Sequence, residues 1–184
     1  MDAQVIQLLQ KRHATRAIDS EKLPDEFVTT LIEAARLTPS CFNNQPWRFL
    51  FLLSDQALEK GAACLSKGNE PWAHRAPLLI VGYAAKEDDC QIKDGREYYQ
   101  FDLGMSVMNI MMAATELGLV ARPMAGFGPD AVREQFDIPP GAEPLVMIAV
   151  GRPTDDESHL PDHAKGKSAE PRQRKDATEI VTRL

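Results

Sequence analysis

The sequence predicts an α+β fold, a sheet flanked by helices within one domain. Three observations predict it. Apolar runs of strand length lie well apart, at residues 47–53, 77–84 and 145–150. Amphipathic helical patterns fill the intervals between them. A length of 184 residues suits one compact domain better than two. With 43% hydrophobic and 26% charged residues, the chain can bury a sizeable core.

Val5, Ile6, Leu8 and Leu9 predict a short amphipathic helix ending near Lys11. A basic cluster follows at Lys11, Arg12, His13 and Arg16. Pro24 and Asp25 open the next helix, whose expected buried face is Phe27, Val28, Leu31, Ile32, Ala34 and Ala35. Pro39 closes it by pushing Thr38 out of helical geometry. Residues 47–53 predict a strand apolar on both faces, 56–66 a helix, and 77–84 a second, buried strand.

The longest helical pattern spans residues 97–117 and carries two apolar stripes. Leu103, Val107, Ile110, Ala114 and Leu117 repeat at spacings of 4, 3, 4 and 3, and Phe101, Met105, Met108 and Met112 at 4, 3 and 4. One stripe suffices for a helix on the outside of a monomer, so two predict burial on two sides, in a core or against a partner. Residues 120–125 predict a short strand, 129–136 a short helix and 145–150 a third firm strand. Gly151, Arg152 and Pro153 end the regular pattern. Residues 154–184 have few large apolar residues before Ile180 and Val181, so this tail is loose or held by something other than its own core.

Charge and composition exclude several function classes. With 27 acidic against 21 basic residues the net charge is −6, which argues against a general nucleic-acid binder. The basic run 165–175 lacks interleaved aromatics for base stacking. No stretch reaches about 18 uninterrupted apolar residues, so no membrane span is expected. Residues 1–12 lack a basic start followed by an apolar run, so no signal peptide is expected. Cys41, Cys64 and Cys90 are odd in number and widely spaced, which suggests neither a disulfide framework nor a zinc site. A reducing cytoplasm is the expected location. His159 and His163 stand four apart among acidic residues, but Pro161 breaks the helix they would need, so no metal site is expected.

Two segments carry the chemistry. Arg12, His13, Thr15 and Arg16 place two guanidiniums at a helix end, where they can grip a phosphate bidentately. By themselves they read more simply as a solvated basic patch. Residues 38–47, Thr-Pro-Ser-Cys-Phe-Asn-Asn-Gln-Pro-Trp, lie between a helix and a strand. Small and amide side chains fenced by two prolines make a rigid loop rich in donors and acceptors, a surface suited to a planar heteroaromatic ligand.

Lys-Arg-His-Ala-Thr-Arg-Ala-Ile-Asp, followed at a distance by Thr-Pro-Ser-Cys-Phe-Asn-Asn-Gln-Pro-Trp-Arg-Phe, resembles the nitroreductase family of FMN enzymes. The resemblance continues at residues 69–77, at Arg122-Pro123-Met124-Ala125-Gly126-Phe127, and at Pro171-Arg172-Gln173-Arg174-Lys175 before Glu179-Ile180-Val181. It implies a mixed, mainly antiparallel sheet flanked by helices in an intertwined homodimer. Residues 1–184 would form a single FMN-binding domain, with about 154–184 as an extended tail wrapping the partner subunit.

The resemblance assigns Arg12, His13, Ala14, Arg16, Arg172 and Arg174 to the FMN phosphate and ribityl chain. Pro39, Ser40, Cys41, Asn43 and Gln45 would contact the flavin of the other subunit, and Asn69 its ring edge. Pro123, Met124, Ala125 and Gly126 would lie against the flavin face opposite the substrate. Phe42, Trp72 and Phe127 are the aromatic candidates for stacking on a substrate; no side chain is assigned a certain catalytic role. The implied activity is ping-pong hydride transfer from NADH or NADPH to a small-molecule acceptor such as a nitroaromatic, a quinone or another electron-poor ring. Ala14 departs from the family, which often has serine there, and so removes a hydroxyl donor to the phosphate. Two alternatives stay open: other flavin chemistry on the same fold, such as reductive dehalogenation or flavin fragmentation with residues 86–97 as a small lid, and a non-enzymatic FMN carrier or sensor.

Overall fold

The computed structural model describes residues 3–167 and 170–184. Along the chain the elements are α1 (Gln4–Lys11), α2 (Asp25–Arg36), β1 (Trp47–Leu52), α3 (Asp55–Ala63), α4 (Glu70–Ala73) and β2 (Leu78–Ala85). They continue with α5 (Tyr99–Glu116), β3 (Val120–Met124), α6 (Pro129–Phe136), β4 (Ala142–Gly151) and α7 (Ala177–Ile180). Among the described residues the strands form one sheet in the order β1-β2-β4-β3, and each pairing is antiparallel.

Both faces of the sheet are covered, which explains why its central strands read as near-continuous apolar runs. Side chains alternate along a strand. Leu78 and Ile80 of β2, with Ile148 and Val150 of β4, therefore pack against Leu31 and Ala35 of α2 and Leu103, Ile110 and Ala114 of α5. Leu79 and Val81, with Met147 and Ala149, face the other way onto Trp72, Ala73, Val132 and Ile138. Each such fully buried aliphatic chain stabilises the fold by roughly 1.5–3 kcal/mol. Among the described residues no helix is long and apolar enough to cross a membrane.

Several elements depart from expectation for identifiable reasons. On α2 the buried stripe is Val28, Leu31 and Ala35, at spacings of three and four. Ile32 sits one residue past Leu31, is rotated off that stripe, and is exposed. β4 begins at Ala142, earlier than its apolar run, because a register shift at Gly82/Tyr83 lets Pro144, Glu143 and Ala142 continue pairing with β2. The first stripe of α5 is buried from Leu103 to Ala114. On the second, Met105, Met108 and Met112 are only half-buried and Phe101 is 59% exposed.

Candidate functional site

The two ends of the chain meet in a cleft of about 240 Å³ lined by Arg12, His13, Ala14, Lys167, Glu170, Arg172 and Arg174. α1 delivers the first three, and Arg12 is its C-terminal cap. The guanidinium of Arg172 donates to the carbonyls of Leu9 at 2.9 Å and Gln10 at 3.0 Å, and also to that of Arg12. It thereby satisfies carbonyls that the end of a helix leaves orphaned. Burial, followed by the charges of Arg172 and Arg174, pushes the Arg12 guanidinium below its ordinary value. Crowded cations with one acidic neighbour make a site suited to a phosphate dianion.

Arg16 stands close enough to Arg122 for the two charges to interact. Arg122, which sequence reasoning did not assign a role, donates to the carbonyl of Ala14 and lies over the ring of Trp72, 5.3 Å from its centroid. Burial, then Arg16, pushes Arg122 down to about 10, so it remains a cation at neutral pH. The sequence signal was an arginine inside a strand of a sheet covered on both faces.

The amide loop is built on a polar stripe of α5 that sequence reasoning also missed. Asp102, Ser106 and Asn109 repeat at spacings of four and three within an otherwise apolar helix. Asp102 accepts from the Cys41 N–H at 3.1 Å, Ser106 donates to the Ala35 carbonyl at 3.2 Å, and Asn109 donates to the Thr38 hydroxyl at 2.7 Å. Burial raises the Asp102 carboxyl above the usual carboxylate range, with only the Cys41 hydrogen bond opposing it before Asp89 adds a like charge. Ser40 closes the loop on itself by accepting from the Gln45 N–H at 2.9 Å. Phe42, Asn43 and Gln45 have φ of 49°, 59° and 51°, left-handed conformations unusual outside glycine. Pro39 and Ser40 lead into this turn. The loop's hydrogen bonds run to α5 and to the Asp88 carbonyl, so the chain itself does not tie it to the cationic cleft.

The structure corrects the reading of the cysteines. Cys41 and Cys90 form a disulfide, with Cα atoms 5.8 Å apart and a sequence separation of 49. The fold brings two segments distant in sequence together, so neither count nor spacing could reveal the pairing. Cys64 is free and buried.

Asn69 and Gly126, expected at one site, are in direct contact. The Asn69 amide donates to the Gly126 carbonyl at 2.9 Å, and Ser66 N–H donates to the same carbonyl at 3.0 Å. A Cβ at Gly126 would lie 2.6 Å from both Asn69 Nδ2 and Ser66 Oγ, so a side chain there would push the Asn69 amide and the Ser66 hydroxyl aside. Strand alternation buries Met124 in the core and leaves Pro123 and Ala125 exposed.

The three aromatic candidates differ. Phe42 is 81% exposed at the tip of the strained loop. Phe127 is half-buried, packs against the core below the sheet, and bridges to Leu65. Trp72 does not face a substrate: it is fully buried on α4, its indole N–H donates to the Gly68 carbonyl at 3.3 Å, and its ring face is covered by Arg122. A four-residue helix with no apolar period gave no sign of this burial in the sequence.

The Nitroreductase family profile matches residues 9–66 and 56–152. A Ralstonia nicotianae protein named as a candidate NADH dehydrogenase/NAD(P)H nitroreductase is 32% identical over 129 residues, 61% of this chain and 66% of that protein. A solved structure described as an oxidoreductase containing FMN shares 28% identity, covers 99% of this chain and 92% of its own, and superposes with a TM-score of 0.86. A nitroreductase family protein from Clostridium difficile 630 shares 26% identity over 99% of this chain and 98% of its own, with a TM-score of 0.79. The ordered motifs, the helix-covered antiparallel sheet and the matched span agree, and the chain belongs to the nitroreductase family.

Proposed function

We propose that the protein is an FMN-dependent oxidoreductase that uses NADH or NADPH to reduce nitroaromatics, quinones or related electron-poor compounds. The observation that carries this reading is the cationic cleft, where residues 12–14 meet residues 167–174. Its donor set fits the FMN phosphate: Arg12, Arg172 and Arg174 supply charge-assisted donors, with His13 and the Ala14 backbone at the rim. FMN-containing and NAD(P)H-named relatives support the same choice. When bound, FMN supplies hydride chemistry in ping-pong order.

The chain's own residues bind and orient. Arg16, beside Arg122, would bring positive charge to the flavin's pyrimidine edge and so favour negative charge on the ring. Asn69, bonded to the Gly126 carbonyl, and the exposed Pro123 and Ala125 would form a wall for the ring, with Met124 turned into the core behind it. Phe42 and Phe127 are the aromatic groups left to face a substrate.

The protein acts as a homodimer. Two features support this: the loop from Pro39 to Gln45 is fastened away from its own cleft, and the second stripe of α5 is only half-buried in the single chain, with Phe101 exposed. The tail expected to wrap the partner from about 154 instead begins on its own subunit, with Leu160 and Ala164 in the core and Arg172 on α1, so only its end would reach the partner and cover Ile180, Val181 and Leu184, all exposed here. A cytoplasmic location supplies the nicotinamide donor.

The purified protein should be yellow, with an FMN spectrum, and should bleach anaerobically on addition of NADH or NADPH. A yellow protein that neither nucleotide bleaches is a carrier or sensor. Product analysis with nitro, quinone and halophenol substrates separates reduction from dehalogenation. A colourless protein that takes up no added FMN overturns the reading.

A further inference from the structure

The Cys41–Cys90 disulfide joins two segments that both border the proposed flavin loop. Cys41 opens the short 3-10 turn Cys41–Asn43, and Cys90 follows a second such turn, Lys86–Asp88. The second segment is well anchored: Asp89 is buried and accepts from the backbone N–H groups of Cys90 at 2.7 Å and Tyr98 at 2.6 Å. The loop is not. Apart from the disulfide it is held across the gap by Asn44 to the Asp88 carbonyl at 3.3 Å and by the Cys41 N–H on Asp102. Arg48, just beyond the loop, adds an exposed ion pair to Asp88 at 3.4 Å. Three non-glycine residues in left-handed conformation persist only where the surroundings over-determine them. The two residues are also unequal: Cys90 is 3% exposed, whereas Cys41 is half-buried.

We propose that Cys41–Cys90 is a thiol-exchange site that takes a low-molecular-weight thiol at Cys41, and that its opening releases the 40–45 loop from its ligand-facing shape. A small-molecule thiolate attacks the accessible Cys41 sulfur. The Cys41–Cys90 bond breaks, and Cys90 leaves as a thiolate that takes a proton from water. A second thiolate attacks the mixed disulfide at the small molecule's sulfur and forms the small-molecule disulfide. Cys41 leaves as a thiolate and is protonated in turn. Two thiols are oxidised, and the protein disulfide is reduced to two thiols. In a cytoplasm such thiols are abundant, so the pair responds to the cell's redox poise and is not a permanent brace. The effect on FMN rests on the function proposed above; the exchange chemistry and the loosening of the loop do not.

The test uses the full-length native protein equilibrated with reduced or oxidised glutathione. Mass spectrometry after alkylation reads the thiols, and amide hydrogen exchange reads the backbone. With reduced glutathione, half-buried Cys41 should alkylate in the folded protein, whereas Cys64 and Cys90, each 3% exposed, should alkylate only after unfolding, Cys90 then as a free thiol. Exchange across residues 40–45 should rise about tenfold or more, with β2 unchanged. Oxidised glutathione should reverse both changes. Cys90→Ser should show the fast-exchanging loop in either buffer, which separates tethering from any side effect of the reductant. FMN release should quicken in the reduced form. A pair that resists millimolar glutathione in the folded state, or a reduced loop whose exchange is unchanged, overturns the proposal. Loop loosening in a protein that takes up no FMN supports the exchange site and overturns only the flavin reading.

Discussion

The guanidinium of Arg172 reaches across 163 positions of sequence to donate to the Leu9 carbonyl at 2.9 Å. One side chain thus closes the end of α1 and forms part of the cationic cleft. Arg172→Ala should weaken FMN binding about tenfold to a hundredfold, the loss expected for a hydrogen-bonding charged group worth roughly 1.5–3 kcal/mol. Arg172→Lys should recover only part, because an ammonium cannot span several carbonyls as the planar fork does. A fluorescence titration with FMN measures both; wild-type affinity in Arg172→Ala would remove the residue from the site.

Ala14 lines the cleft without a hydroxyl, and its carbonyl is engaged by Arg122. Ala14→Ser should tighten FMN binding by about fivefold to tenfold, the gain of one hydrogen bond to an anion. Reconstituting both proteins under identical conditions and comparing their dissociation constants tests this. Equal constants would mean that the missing hydroxyl is of no consequence.

Trp72 and Phe42 should separate stability from substrate handling. Trp72→Ala should cost about 3–5 kcal/mol of folding stability by emptying a fully buried site. Trp72→Phe should leave the ranking of acceptors as it is. Phe42→Ala, at an exposed loop tip, should leave the urea midpoint nearly unchanged and shift KM among aromatic acceptors. Unchanged acceptor ranking in Phe42→Ala and Phe127→Ala alike would show that neither ring meets the substrate.

Burial, and next the charge of Arg75, hold the His159 ring below its ordinary value. The unfolded chain therefore binds a proton near pH ~6.5 that the folded chain refuses. The stability contributed by the neutral ring is full above that pH and is lost as pH falls through it. His159→Gln should flatten the fall in the urea midpoint between about pH 7 and pH 5. An unchanged slope would show that other groups carry it.

The fold was legible where the chain repeats itself. The continuous apolar run of β2 and the bounds of α6 are written in consecutive residues, and the structure follows them. The cationic cleft was legible only through its resemblance to a family, because its walls lie far apart in the sequence. Three features were not legible. Pairing of Cys41 with Cys90 depends on where two loops meet. Burial of Trp72 depends on Arg122 and on a helix too short to show a period. The Asp102, Ser106 and Asn109 stripe was present in the spacing, but the apolar count along the same helix masked it.

The cleft shared by residues 12–14 and 167–174 also has a consequence for timing. On the ribosome, the sheet and both of its helical coverings are complete by Gly151, before the second wall of the cleft exists. A nascent chain can therefore fold its core but cannot grip an anion between those walls until Arg172 and Arg174 have left the exit tunnel. A chain cut anywhere before Arg172 would therefore keep its sheet and lack the second wall of the cleft.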